Sequence, residues 1–318
     1  MAEGLFDRRD IPVGAREWRW AAPDGFSLRR LEWPEPDGDA RGSLLFMPGR
    51  GDAYEKYLET FEHWRRRGWR VSSADWRGQA GSGRLGIDGI TGHVDDFASW
   101  TRDLAALWGD WARGRSGPLV LAGHSMGGHL VLRAVAERAL DPMPDALVLS
   151  APMLDVLPER LPLAIKHLVS RAMCAAGDPR RLAWKWSEKP GEVPLFRQAL
   201  LTHDDERYAD ELYWRSERPE LVMGPGSWGW VRASLASIRM LARPGVLEAV
   251  NLPVHVMATT ADRLVGARAI RRVMARLPRV DAQWFGDEAA HEILREVDAV
   301  RDRALERIDR FLEGIAPQ

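Results

Sequence analysis

The sequence predicts an α/β fold: a mostly parallel sheet flanked by helices on both faces, with a helical cap inserted into one loop. Three observations carry that expectation. Short apolar runs bounded by Gly, Pro or polar turns alternate with amphipathic helical patterns, and right-handed crossovers between parallel strands place helices on both faces of a sheet. Over residues 152–250 the alternation stops and only helical patterns separated by Pro and Gly remain, so 1–151 and 251–318 read as the core and 152–250 as the cap. Finally, residues 119–140 run from a buried strand pattern through Gly123-His124-Ser125-Met126-Gly127-Gly128 into a helix, which puts a serine on a tight turn at the sheet's carboxyl edge.

A hairpin comes first. Residues 17–20 and 26–33 flank Ala22-Pro23-Asp24-Gly25, where Pro and Gly supply the turn angles. The polar loop 34–39 leads to an apolar strand at 43–47, then to Pro48-Gly49-Arg50-Gly51-Asp52 and a helical pattern over 54–67. A strand at 69–74 ends in the glycine-rich loop 75–83. That loop lacks the Gly-Lys-Ser/Thr ending of a P-loop and the G-x-G-x-x-G frame of a dinucleotide site, so it reads as a structural turn. An amphipathic helix over 93–113 precedes the strand at 119–122, and Leu130, Val131, Ala134, Val135 and Ala139 mark the helix after the serine turn. Strands at 146–150, 252–258 and 280–285 and helices over 267–277 and 292–314 complete the core.

Composition excludes several classes. With 45 basic against 46 acidic residues and a formal net charge of -1, the chain has no general electrostatic footprint for nucleic acid. The single cysteine, Cys174, rules out an intramolecular disulfide and a cysteine-rich zinc site, and is read as a packing residue. The first residues have no apolar signal region and no apolar run reaches the length of a membrane span, so a cytoplasmic protein is the expectation.

The G-x-S-x-G spacing has a physical reason. A serine on so tight a turn takes strained backbone angles, and side chains at 123 and 127 would collide as the chain reverses. Ser125 is therefore the candidate nucleophile, and the Met126 N–H at the start of the next helix faces any oxyanion formed there. A serine nucleophile needs a base and a carboxylate to orient it, which in such folds follow in the order Ser, Asp or Glu, His. Of the histidines beyond the helix that follows Ser125, His167 and His203 fall in the cap and His255 within a strand, leaving His291, in the loop after the last strand, as the base. Asp262, in the loop after the strand at 252–258, is the candidate acid, with Asp155 second and Asp287 and Glu288 as further rivals. The second oxyanion donor is the Arg50 N–H, with Gly49 the alternative.

These segments resemble the α/β-hydrolase superfamily, in the branch of monoacylglycerol lipases and bacterial lysophospholipases of the L2 type. The resemblance spans nearly the whole chain. It rests on Met47-Pro48-Gly49-Arg50 with Glu55-Lys56-Tyr57, Asp75-Trp76-Arg77-Gly78, the Ser125 turn, Ala261-Asp262-Arg263-Leu264-Val265 and Ala290-His291-Glu292-Ile293-Leu294. Pro48-Gly49 stands where the monoacylglycerol lipases usually carry His-Gly, and the Pro-Gly-Arg and His-Glu-Ile-Leu forms look more like the lysophospholipases. The resemblance implies hydrolysis of a carboxylic ester bearing one acyl chain, without metal or organic cofactor. An esterase or monoacylglycerol lipase on uncharged or short esters is the alternative, and a silent binding scaffold the remote one. A haloalkane dehalogenase would need Asp in place of Ser125.

Substrate choice is expected to reside in residues 152–250. Leu161, Leu163, Ile165, Leu168 and Met173 form one apolar face there, and Trp214, Trp228, Trp230 and Leu235 another; each suits an acyl pocket or plain packing. Gly49, Trp214, Trp228 and Trp230 are the candidate substrate-binding residues, in a region that also holds Trp184 and Trp186. Residues 160–197 carry eight Lys or Arg against three Asp or Glu, an excess that fits a lipid surface or anionic headgroup as well as a solvated face.

Overall fold

The computed structural model describes residues 6–185 and 197–316. Its eight strands are β1 (Arg16–Ala21), β2 (Ser27–Glu32), β3 (Gly42–Met47), β4 (Trp69–Ala74), β5 (Leu119–His124), β6 (Ala146–Ser150), β7 (Val254–Thr259) and β8 (Val280–Phe285). They form one sheet in the order β1-β2-β4-β3-β5-β6-β7-β8. The β1–β2 hairpin joins antiparallel, first to itself and then to β4, and every other pairing is parallel. Every residue of β3, β5, β6 and β7 is buried, which is why these strands read as continuous apolar runs rather than as alternations.

The helices are α1 (Leu58–Arg66), α2 (Phe97–Ala112), α3 (Met126–Ala136), α4 (Leu163–Ala175), α5 (Gln198–Leu201), α6 (Asp205–Glu217), α7 (Trp228–Leu241), α8 (Ala267–Met274) and α9 (Asp298–Glu313). Phe61 and Trp64 of α1 pack with Leu305 and Ile308 of α9 on one face of the sheet. Trp100 and Trp108 of α2, Leu130 of α3 and Ile270 of α8 cover the other. Several core tryptophans also bond through the indole N–H: Trp76 to the Pro48 carbonyl at 2.8 Å, Trp100 to that of Arg77 at 2.9 Å and Trp111 to the Ser72 hydroxyl at 2.7 Å. Removing such a side chain from a core costs about 3–5 kcal/mol.

Some boundaries differ from the pattern. The helix expected from 93 begins at Phe97, where the Asp96 side chain accepts the Ala98 N–H as a cap. The 54–67 pattern opens with a 3-10 turn at Tyr54–Tyr57. The last helix starts at Asp298 rather than 292, because Ile293–Arg295 form a separate 3-10 turn whose side chains are all buried.

Between β6 and β7, described residues form α4 to α7 and no strand. The apolar face of α4 is turned the other way from the one its pattern suggests: Leu161, just before it, is 46% exposed, and Ile165 and Leu168 are 49% and 67% exposed. The inward positions are Lys166 and Ser170. An ion pair explains the inversion, since Lys166 Nζ donates to Asp155 Oδ1 at 2.5 Å and to the Val156 carbonyl at 2.6 Å. Desolvated charges left apart would cost more than exposed leucines.

Candidate active site

Ser125 leaves β5 with φ 51° and ψ −116°, a strained conformation for a residue with a side chain. Three backbone bonds hold it there: its N–H donates to the Ser150 carbonyl at 2.9 Å, and its carbonyl accepts the N–H groups of His129 at 3.0 Å and Met153 at 2.9 Å. A Cβ on Gly123 would meet the Gly127 carbonyl carbon at 2.7 Å, and one on Gly127 would meet the Met47 carbonyl oxygen at 2.2 Å. Backbone cannot give way as a side chain can, so both positions require glycine. Met126 is the first residue of α3, and its N–H has no carbonyl one turn back within the helix.

His291 is buried in the loop between β8 and α9, and its Nδ1 lies 2.7 Å from Asp262 Oδ2. Asp262 Oδ1 accepts the N–H groups of Leu264 at 2.8 Å and Val265 at 3.0 Å, which fixes the carboxylate. Burial disfavours the imidazolium, but the Asp262 charge and hydrogen bond outweigh it and raise the His291 pKa above the ordinary histidine value. Burial likewise opposes the Asp262 charge, and His291 with the two backbone donors holds that pKa below the usual carboxylate range. With a proton on Nδ1 directed at Asp262, Nε2 is the nitrogen left for chemistry.

Two of the rival carboxylates and the other candidate histidines are engaged with other partners. Asp155 bonds Lys166 and the Val156 N–H, and Glu288 bonds the Gly286 N–H and Arg303. His255 faces Asp281 at 2.7 Å, His203 faces Glu296 at 3.0 Å, and His167 meets Arg239.

Ser125 and His291 share the wall of a cavity of about 440 Å³ with Gly49, Arg50, Trp184 and Trp230. The Gly49 N–H donates to Asp52 Oδ2 at 3.0 Å and the Gly51 N–H to Gln79 Oε1 at 2.9 Å, so the donor offered as the alternative to Arg50 is engaged within its own loop. The Arg50 guanidinium lies 5.2 Å from the Trp184 ring and 5.1 Å from the Trp230 ring, and donates to the Gly224 carbonyl at 2.7 Å. Trp214 and Trp228 lie off this wall. Trp214 is buried against the amino-terminal segment, with its indole N–H on the Arg8 carbonyl at 3.0 Å, and Trp228 is half-buried at the start of α7. Trp186 lies outside the described residues.

Sequence reasoning missed the group beneath this wall. Asp52 Oδ2 collects the Gly49 N–H, the Tyr57 hydroxyl at 2.7 Å and His124 Nδ1 at 3.1 Å. Lys56, also buried, bonds Asp52 at 3.0 Å, Glu211 at 3.2 Å and Glu292 at 2.5 Å. The Asp52/Lys56 spacing of four was the available signal. Asp52 thus ties the loop after β3 to the residue preceding the nucleophile, and its several donors hold its pKa well below the usual range despite complete burial.

With this geometry in view, a family model described as Hydrolase_4, serine aminopeptidase S33, matches residues 38–298. Lysophospholipase L2 of Escherichia coli strain K12 is 31% identical over 290 residues, covering 84% of this chain and 79% of that protein. A probable lysophospholipase L2 of Haemophilus influenzae is 24% identical, covering 87% and 86%. Among solved structures, a soluble variant of monoglyceride lipase from Saccharomyces cerevisiae, in complex with a substrate analog, matches with a TM-score of 0.76 over 99% of both chains at 18% identity, a likeness of fold.

Proposed function

Because the chain belongs to the Hydrolase_4 (serine aminopeptidase, S33) family of α/β-hydrolases, we propose that it is a lysophospholipase acting through Ser125, His291 and Asp262. The observation that carries the reading is the meeting of a strained serine and an Asp262-paired histidine on the wall of one cavity that also offers apolar side chains and cations.

Ser125 Oγ attacks the acyl carbonyl carbon as His291 Nε2 takes its proton. The oxyanion accepts hydrogen bonds from the Met126 and Arg50 N–H groups, each donor of this kind contributing about 10²–10³ in rate. The tetrahedral species collapses, His291 protonates the departing glycerol oxygen, and the acyl chain stays on Ser125 as an ester. Water, deprotonated by His291, attacks that ester, and the second collapse returns the proton to Ser125 and frees the fatty acid. Asp262 stabilises the imidazolium in both halves.

Residues 152–250 act as a cap over this edge. The acyl chain lies against Met153, Leu201 and Trp230, and Arg263, exposed on the same wall, meets the headgroup phosphate. The outward stripe of Ile165, Leu168 and Val169, beside exposed Arg171 and Arg180, lets the cap rest on a lipid surface. No helix among the described residues is long and apolar enough to cross a membrane. The fastening of Arg50 to Trp184, Trp230 and Gly224 favours a second reading, a monoacylglycerol lipase or carboxylesterase on neutral esters, because it leaves Arg263 to read the phosphate alone.

Fatty-acid release from lysophosphatidylcholine, monoacylglycerol and p-nitrophenyl esters, compared for wild type and Ser125→Ala, tests both readings. Preference for the lysophospholipid with turnover lost by about 10⁶ in the variant is the expected result. Preference for neutral esters overturns the headgroup assignment, and equal activity of the two proteins overturns the serine mechanism.

A further inference from the structure

Beside α4 lies a second cavity of about 460 Å³, within the range of small-molecule sites and unused by the chemistry above. Leu154 and Leu163 form one wall, Ile238 and Leu241 of α7 another, and Ala269 and Val273 of α8 a third. One thickness of chain divides it from the Ser125 cavity: Met153 lines the first, Leu154 the second, and Asp155 both.

The charged residues of this second wall are three arginines and two carboxylates, an excess of one positive charge. Most are already matched. Asp155 holds Lys166 at 2.5 Å, Glu159 accepts the Ala269 N–H at 2.9 Å, and Arg276 is fixed by Glu248 at 2.7 Å and the Ala242 carbonyl at 3.0 Å. Two cations remain. Arg160 is exposed and makes no ion pair or side-chain hydrogen bond among the described residues, and Arg272, its side chain 65% exposed, comes no nearer than 4.0 Å to Asp155. An apolar slot with two arginines on its wall suits a single alkyl chain ending in one negative charge, and the guanidinium fork matches a carboxylate in particular.

We infer that this cavity binds a long-chain carboxylate, its chain against Leu154, Leu163, Ile238 and Leu241 and its head at Arg160 and Arg272. The ligand class is that of the acid released in the reaction proposed above, but the assignment rests on this cavity's own walls and charges. Because segment 153–155 faces both cavities, a carboxylate bound in the second cavity acts on turnover without competing for Ser125, and the inhibition it adds there is non-competitive.

The test is calorimetric titration of laurate, below its micelle concentration, into wild type, Arg160→Glu/Arg272→Glu and Leu241→Trp, with dodecanol as the uncharged probe. The expected result is two equivalents of laurate in wild type. The double variant weakens one of them at least tenfold, Leu241→Trp abolishes that one, and turnover of p-nitrophenyl butyrate without added acid is unchanged in the double variant. No equivalent in wild type that the double variant weakens, or dodecanol binding as tightly as laurate at that equivalent, overturns the assignment, whereas a single equivalent lost in the variants leaves it standing and tells only against binding in the Ser125 cavity. The arginines are at the surface, so the double variant remains a valid test if Leu241→Trp fails to fold. Since binding is read directly, the result stands apart from which ester the enzyme hydrolyses.

Discussion

Helices α3 and α4 are of similar length and are packed on opposite principles. All but the last residue of α3 are buried, whereas α4 buries only Lys166 and Ser170 and turns Ile165, Leu168 and Val169 outward. In α3 the sheet beneath demands apolar contact on one side and the serine turn demands close backbone on the other. In α4 an ion pair to Asp155 sets the rotation of the helix, and the apolar residues take what is left. The core and α7 of the insert are organised by hydrophobic burial, with Trp230, Leu235, Ile238 and Leu241 of α7 all buried, and α4 by a polar anchor. On the function proposed above, chemistry sits on the continuously buried sheet edge and recognition on the insert.

The widest test of that contrast is Asp262→Asn. It should cut kcat by about 10⁴ while leaving the urea midpoint of the core nearly unchanged. The wild-type rate should fall on the acid side with a midpoint above about 6.5, the ordinary histidine value, because neutral His291 is the base and Asp262 raises its pKa. In the variant that midpoint moves down, and a pH profile that stays put would detach Asp262 from the base.

Next comes Lys166→Met, which leaves Asp155 buried without its cation. A loss of about 3–5 kcal/mol follows from removing one partner of a buried pair. If the insert is held as described, amide exchange should rise along α4 first and the core strands should stay protected. Uniform exposure would mean that the two regions unfold together.

Asp52→Asn probes the network joining the loop after β3 to the Ser125 turn. With the carboxylate charge gone, the hold on the Gly49 N–H, Tyr57 and His124 weakens, and kcat should drop by about 10–10² with little change in KM. A change in KM alone would place Asp52 in substrate binding instead. The smallest effect is expected from Leu168→Ser, whose side chain is mostly in solvent. Its stability should stay within about 0.5 kcal/mol of wild type. Turnover of soluble esters should be unaffected, and only activity on lipid vesicles should fall, by a few-fold.

The same contrast decides what could be read from sequence. Ser125, Asp262 and His291 each stand next to a strand end or a glycine turn, features written in a few consecutive residues. The alternation of strands and helices is equally local. The rotation of α4 is not, because it depends on Asp155 being held beneath Lys166, and an apolar stripe ordinarily signals burial. Proximity in sequence groups Trp214 with Trp230, yet its indole answers to the Arg8 carbonyl more than 200 residues away. The Asp52 cluster draws on residues from 49 to 292, and no window of sequence contains it.

Arg50 belongs to both regions at once. Its peptide N–H is the proposed oxyanion donor, while its side chain is fastened to Trp184, Gly224 and Trp230 of the insert. A substrate tail that presses on those residues, far from the bond being broken, alters the alignment of the donor at that bond. Tail length would then be expressed in the speed of the chemical step more than in how tightly the ester is held, so that the enzyme measures its substrate by rate.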